Sequence, residues 1–361
     1  MDKFLEKSEK IIQAILQIVQ SNPDWLDKKK KNEVYKAVRM MLDHLLNEAE
    51  AAVPAVIETS FMTGVKEGLS ELDSSIKSGL LVLGTTQISS ERFDPRKYIR
   101  DIQFDAMLDL KAAIRTAKIH SINTIETALE QVNDLINSGM VSGEGQKFIR
   151  QKVADAFAKQ GLTAFVTRDG KKLPLDYYTN LVVNTKFREA KVQGKLNYLR
   201  NGGVEAVKIT GRGGSCGICG AYRGMVVSLT GEHDGIPSIN DVRMVPYHPH
   251  CRCFIQSYFI GIKTEEELQV ERDKWTNFNP NIDKRTAGQK QEYNAEQERK
   301  RRLNEEKKQY ARWKSVLGDE TPASLSAFRR MKRQNTIKFQ EMQSEYHSIM
   351  QVLSVKRLGS D

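Results

Sequence analysis

The chain has 361 residues, 39% hydrophobic and 28% charged, with a formal net charge of +10 and an isoelectric point near 9.2. That length permits two or three domains, and the modest apolar share predicts an elongated molecule with much exposed helix rather than one tight globule. No run approaches the roughly 18 apolar residues of a membrane-spanning helix, and the basic balance points to polyanionic neighbours, nucleic acid being the commonest.

Residues 1 to about 160 predict a helical region, because prolines are few and apolar residues recur at three- and four-residue spacing. Ile11, Ile12, Ile15, Leu16 and Val19 form one stripe, and Ile122, Ile125, Leu129, Val132 and Ile136 form another. The second stripe covers two heptads, so packing within a helical bundle is expected in preference to a long coiled coil. Ser74–Asp94 and Asn137–Gly145, with their glycines and serines, read as breaks. The run Lys28–Lys31 reads as a solvated helix entrance.

Residues 161–262 predict a small α+β domain. Ala164–Arg168 and Lys171–Leu175 flank Asp169-Gly170, a strong signal for a two-residue hairpin turn. A helix follows from about Asp176, a credible cap, to Asn201, where Gly202-Gly203 stops it. Val204–Thr210 and Phe254–Phe259 read as strands on either side of the cysteines.

All four cysteines lie within 38 residues, as Cys216-Gly-Ile-Cys219 and His248-Pro-His-Cys251-Arg-Cys253. A C-x-x-C turn places two sulfurs on one side of the chain, and H-x-x-C offers an imidazole and a thiolate at the same spacing. Zn²⁺ favours four such ligands in a tetrahedron, so a structural zinc held by Cys216, Cys219, His248 and Cys251 is expected. Cys253 is the alternate fourth ligand, since alternate residues of an extended chain face opposite ways and only one of the pair should look inward. Pro249 should keep this stretch out of a helix and hold His248 in an extended approach. Disulfides would need an oxidising compartment, and Met1–Lys10 lacks the apolar core of a signal peptide. The domain is thin in apolar residues, so a bound ion would act as its staple.

Residues 263–361 predict a basic helical tail. Lys284–Lys338 carries 16 Lys/Arg against 7 Asp/Glu. Candidate phosphate contacts are Arg299, Lys300, Arg301, Arg302, Lys307, Lys308, Arg312, Lys314, Arg329, Arg330, Lys332 and Arg333, with Tyr293, Tyr310, Trp313 and Phe328 between them. Such contacts give salt-sensitive affinity without base specificity. Interspersed acids equally suit a solvated helix laced with i,i+4 pairs.

Certain of these residues carry a family resemblance. They are Phe165-Val-Thr-Arg-Asp-Gly170, Tyr178–Thr185 leading to Arg188-Glu-Ala190, Val207–Thr210, Cys216–Gly224 and Pro246–Cys251. In this order the stretch Ala164–Tyr258 resembles the minor capsid (minor head) proteins of tailed bacteriophages, in the minor capsid protein 2 group related to Mu F-like head-morphogenesis proteins. Tyr293–Arg299 through Arg312-Trp-Lys314 is similar to that group's basic C-terminal helix. Two positions depart from the group: Asn184-Thr185 stands where an Arg-Thr pair is usual, and Cys253 where histidine is frequent. The resemblance implies a low-copy structural protein inside the head near the portal protein, in contact with other capsid components and non-specifically with viral double-stranded DNA. It would assist assembly, packaging or ejection, and reside in the host cytoplasm during assembly.

The rival class is a zinc-dependent hydrolase or nuclease, which would leave one metal position open to water and use a carboxylate base. Glu232, His233 and Asp234 are the local candidates. A zinc-module transcription factor would place a recognition helix after the second Cys/His pair, where this chain has the strand-like Phe254–Phe259.

Overall fold

The computed structural model describes residues 1–79, 95–137, 145–211 and 214–354. Among these the elements run α1 (Asp2–Ser21), α2 (Lys28–Lys77), α3 (Pro95–Asn137), α4 (Gly145–Ala156), β1 (Thr163–Val166), β2 (Lys172–Pro174), α5 (Leu175–Asn201), β3 (Ala206–Gly211), α6 (Gly217–Tyr222), β4 (Val226–Ser228), β5 (Cys253–Tyr258), α7 (Glu265–Thr276), α8 (Ala287–Leu317), α9 (Leu325–Gln334) and α10 (Ile337–Ser354). The protein is mainly helical α+β, as its periodicity predicts. No helix among the described residues is long and apolar enough to cross a membrane.

Two compact units divide the chain, each assembled from distant segments. The bundle unit comprises Asp2–Ala49, Leu110–Thr179 and Glu298–Asp361. Its core takes Ile11, Ile12, Ile15 and Val19 from α1, Val34, Val38, Leu42 and Leu45 from α2, and Ile125, Leu129 and Val132 from α3. These are the stripes that three- and four-residue spacing sets on one helix face. Ile122 is half-buried. Lys28–Lys30 lie exposed at the start of α2, where the Asp27 side chain accepts from the Lys30 amide at 2.9 Å. The breaks expected at 74–94 and 137–145 fall largely outside the described residues, although α2 continues through Ser74 to Lys77.

The β1–β2 hairpin forms, but with a different turn. Thr167 donates its amide to the Lys171 carbonyl at 2.9 Å and accepts from the Gly170 amide at 2.9 Å, so the loop has three residues. Gly170 takes φ +78°, the left-handed position that a three-residue loop assigns to glycine. Asp176 is likewise not a cap: α5 begins one residue earlier, and its carboxylate meets Lys307 at 3.4 Å. Gly202 and Gly203 end α5 as expected, with Gly203 at φ +81° and the Val204 amide returning to the Leu199 carbonyl at 3.0 Å.

The knuckle unit comprises Glu50–Asp109 and Asn180–Gln297, with Met1. Its sheet has the order β4-β3-β5, all antiparallel, with Ala206 opposite Tyr258 and Gly211 opposite Cys253. Helices α2 and α5 cross nearby at glycines. A Cβ at Gly64 would lie 2.8 Å from the Lys191 carbonyl carbon and nearer still to its oxygen, and one at Gly194 would lie 2.9 Å from the Phe61 carbonyl carbon. Only residues without side chains permit backbones this close.

One charged clasp is sunk into this unit. Lys195, 9% exposed, pairs with Glu71 and donates to the Ile255 carbonyl at 2.9 Å, while Glu71 accepts from the amide and hydroxyl of Ser257. Burial pushes the Glu71 carboxyl up, but Lys195 and Ser257 together hold it below its ordinary value. A depressed carboxyl stabilises the fold above its unfolded pKa, and that contribution disappears as pH falls through the folded one. Glu71→Gln should therefore cost about 2 kcal/mol at neutral pH by leaving Lys195 without its counter-charge. In urea titrations the difference between variant and parent should close below about pH 4; a difference that is constant with pH would contradict the clasp.

Candidate metal centre and basic helices

The end of β3 and the start of β5 deliver the two Cys/His pairs to one place. Cys216 caps α6, and its sulfur accepts from the Cys219 amide at 3.4 Å, which turns both thiols of the first pair the same way. The second pair is a turn rather than the extended approach expected. The Cys251 amide donates to the His248 carbonyl at 2.9 Å, with Pro249 and His250 at the two central positions. Proline at the second position of a turn fixes φ where the turn needs it. His250 is exposed.

The donor atoms form two overlapping triads. Cys216 Sγ and Cys219 Sγ each lie 3.1 Å from His248 Nε2, and Cys219 Sγ lies 3.6 Å from Cys251 Sγ. Cys219, Cys251 and Cys253 make the second triad, with all ligand atoms within 4.8 Å of one another. A tetrahedral ion with metal–sulfur bonds of about 2.3 Å sets sulfurs about 3.8 Å apart, close to the Cys219–Cys251 separation. All four thiols are free. The cluster can hold a metal ion.

Both Cys251 and Cys253 approach Cys219, so the expectation that only one of them looks inward fails. Strand alternation governs Cys253, the first residue of β5, but Cys251 sits in the preceding turn and is oriented independently. Five donors therefore form two triads that share Cys219.

Electrostatics suit a cation. Hydrogen bonds from the Cys219 and then the Cys253 thiols pull Cys251 well below the ordinary thiol range, so a thiolate is favoured there, while the Cys219 thiol is correspondingly pushed up. Burial lowers His248, which leaves the imidazole neutral and its lone pair available. Cys219 and Cys251 are 2% and 1% exposed and belong to the same core as Leu196, Val207, Ile209 and Ile255. Tyr247 stacks on Tyr222 at 4.1 Å between ring centres, walling one side.

No carboxylate joins either triad among the described residues. Glu232 and Asp234 are exposed on the loop between the pairs, and His233 faces Glu205 at 3.6 Å. A strap missed in the sequence lies against the first pair: Arg285 donates to the Ser215 carbonyl at 2.7 Å, pairs with Asp283 at 2.8 Å, and stands over the Tyr293 ring at 5.2 Å. Its signal was available in the Asp283/Arg285 pair, whose i,i+2 spacing suits a loop better than a helix face.

In the basic segment, two of the interleaved aromatics are core, Tyr310 packs against them, and Tyr293 lies under Arg285 instead. Trp313 and Phe328 are 3% and 0% exposed and pack with Phe339, Met342 and Tyr346. Several candidate cations are already engaged: Lys307 with Glu9 and Asp176, Lys308 with Glu305, Lys314 with Asp319, Arg329 with Glu306, and Lys332 with Gln309. Arg299, Arg301, Arg302, Arg330 and Arg333 are exposed, whereas Lys300 and Arg312 are half-buried.

A model of the phage minor capsid protein 2 family matches residues 9–339, nearly the whole chain. The chain belongs to that family. No curated protein and no solved structure matches it. The match takes in α1 to α4, where no motif marks the phage minor capsid protein 2 family by eye, because the stripes there fix only a helix face. As a phage capsid protein it is a virion component.

Proposed function

We propose that this minor capsid protein is a low-copy structural component inside the phage head, bound near the portal, and that it assists head assembly and the packaging or ejection of DNA. The centre formed by Cys216, Cys219, His248 and Cys251, with Cys253 as a reserve thiol, holds a structural Zn²⁺. The N/S donor set, the burial of two of its thiols and the absence of a nearby carboxylate among the described residues support a staple over a hydrolytic site. The observation that carries the DNA reading is the set of exposed arginines at 299, 301, 302, 330 and 333, on helices whose aromatics Trp313 and Phe328 are used in packing.

Removing the tail would be a poor test, because residues after 264 supply Trp275 and Phe278 to one core and Trp313 and Phe328 to the other. Charge neutralisation in the full chain is the better one. Changing Arg299, Arg301, Arg330 and Arg333 together to glutamine should reduce the slope of log affinity against log salt by about 3 to 4 for duplex DNA. An unchanged slope would refute DNA contact by these helices. Labelling of intact particles should find the protein at one vertex; signal at all vertices would sink the portal placement.

A further inference from the structure

The same helices form a concave site that diffuse charge does not explain. In the bundle unit a groove of about 390 Å³ opens among α8, α9 and α10, within the range of about 300–1,000 Å³ occupied by small-ligand sites. Trp313 and Tyr346 line it, stacked on each other at 5.5 Å between ring centres, and both are buried in the aromatic cluster beneath. Four basic side chains from three helices converge on it: Arg302 and Arg312 from α8, Lys332 from α9 and His347 from α10.

Its two lining carboxylates are paired, Glu305 with Lys308 at 3.0 Å and Glu306 with Arg329 at 3.1 Å, and a third beneath it, Asp155, accepts from the Tyr346 hydroxyl at 3.4 Å and is paired with Lys159. Gln309 accepts from Lys332 Nζ at 2.6 Å, which fixes the ammonium without neutralising it. Arg302 and Arg312 have no ion pair among the described residues, and the Arg312 Nε is buried with no hydrogen-bond partner. A buried donor left unsatisfied costs about 1–3 kcal/mol, and more when charged, and no protein acceptor meets Arg312 at that atom although its side chain lines the groove. Guanidinium groups match the oxygens of a tetrahedral oxyanion in pairs, and an ammonium adds a point charge.

We propose that this groove is a seat for one phosphate group, held by Arg312 and Lys332 with Arg302 at its rim. The seat differs from the contacts of the exposed arginines in being concave and pre-oriented, so it binds an isolated phosphate as well as one in a polymer. Its phosphate is either a backbone phosphodiester of duplex DNA or a free phosphate ion.

Calorimetric titration of the full-length protein with inorganic phosphate, in low-chloride buffer, reads the seat directly. Arg312→Gln and Lys332→Gln should each weaken phosphate binding at least tenfold, and Arg302→Gln severalfold, while Arg330→Gln and Arg333→Gln should change it less than twofold. Arg302 is exposed, so its variant keeps the test valid should a more buried substitution disturb folding, which a thermal melt would reveal. Displacement of phosphate by a short DNA duplex identifies the backbone as the source; phosphate binding that a duplex does not displace identifies the free ion. The second result also counts against the DNA contact proposed above while leaving the seat intact. Equal losses in groove and surface variants, or no phosphate binding at about 10 mM, would overturn the seat.

Discussion

Cys219→Ser is expected to abolish metal binding and to lower the melting temperature of the knuckle unit by 10 °C or more. Cys219 is the one residue common to both donor triads, so its loss leaves neither three-membered set intact. It is also 2% exposed and sits among Val207, Ile209 and Ile255, where a serine hydroxyl would be buried. Structural zinc in small finger peptides contributes about 10–16 kcal/mol; this unit has a real apolar core as well, and a loss of at least about 5 kcal/mol is expected. At about 2–4 °C per kcal/mol for a unit of this size, that gives 10–20 °C. Cys253→Ser should be mild, because Cys216, Cys219, His248 and Cys251 remain. Metal content by elemental analysis and melting by circular dichroism check both, and a chelator should reproduce the Cys219 effect on the parent. Full metal content in Cys219→Ser would dispose of the centre as drawn.

The second large effect is expected at the crossing of α2 and α5. Gly64→Ala or Gly194→Ala puts a methyl group into a carbonyl of the opposite helix, at Lys191 or Phe61. The obstacle is backbone, so no rotamer change relieves it and the helices themselves must separate. Each variant should lose at least about 3 kcal/mol, or 6–12 °C in melting temperature. Gly68→Ala is the internal comparison, since a Cβ there meets the Tyr198 Cβ at 3.1 Å, so the neighbour need give only a few tenths of an ångström. It should cost less than half as much; equal losses at all three positions would mean that glycine is needed for something other than close approach.

How much of this was legible depended on whether a signal is local. The Cys/His spacing pointed to a candidate metal centre because ligand geometry demands residue types at fixed short intervals, and the structure gathers those donors as two triads that share Cys219. Stripes such as Ile11, Ile12, Ile15 and Val19 marked a buried face correctly, since helix geometry alone decides which side they share. Partners were another matter. Nothing in α2 alone says that Glu71 meets Lys195, or that Gly64 faces Lys191, although Gly64-Val-Lys-Glu-Gly68 has the spacing of two small residues on one helix face. The tail aromatics were ambiguous for the same reason. Trp313 and Phe328 stood out only as aromatics between basic residues, and the residues that cover them, Phe339 and Tyr346, lie on a later helix. Cys251 escaped the strand rule because a proline turn, invisible to alternation, sets its direction.

The interleaved make-up of the two units has a consequence for synthesis. The knuckle unit needs residues from Glu50 to Gln297, and the bundle unit needs α1 together with everything from Glu298 onward. A chain emerging from the ribosome amino-terminus first therefore completes neither unit until most of it exists, because the closing segments are the last to be made. Contacts of such long sequence separation also slow the search for the native arrangement. A chain interrupted before Gln297 holds neither unit whole, and one interrupted after it holds every segment of the knuckle unit but an unfinished bundle.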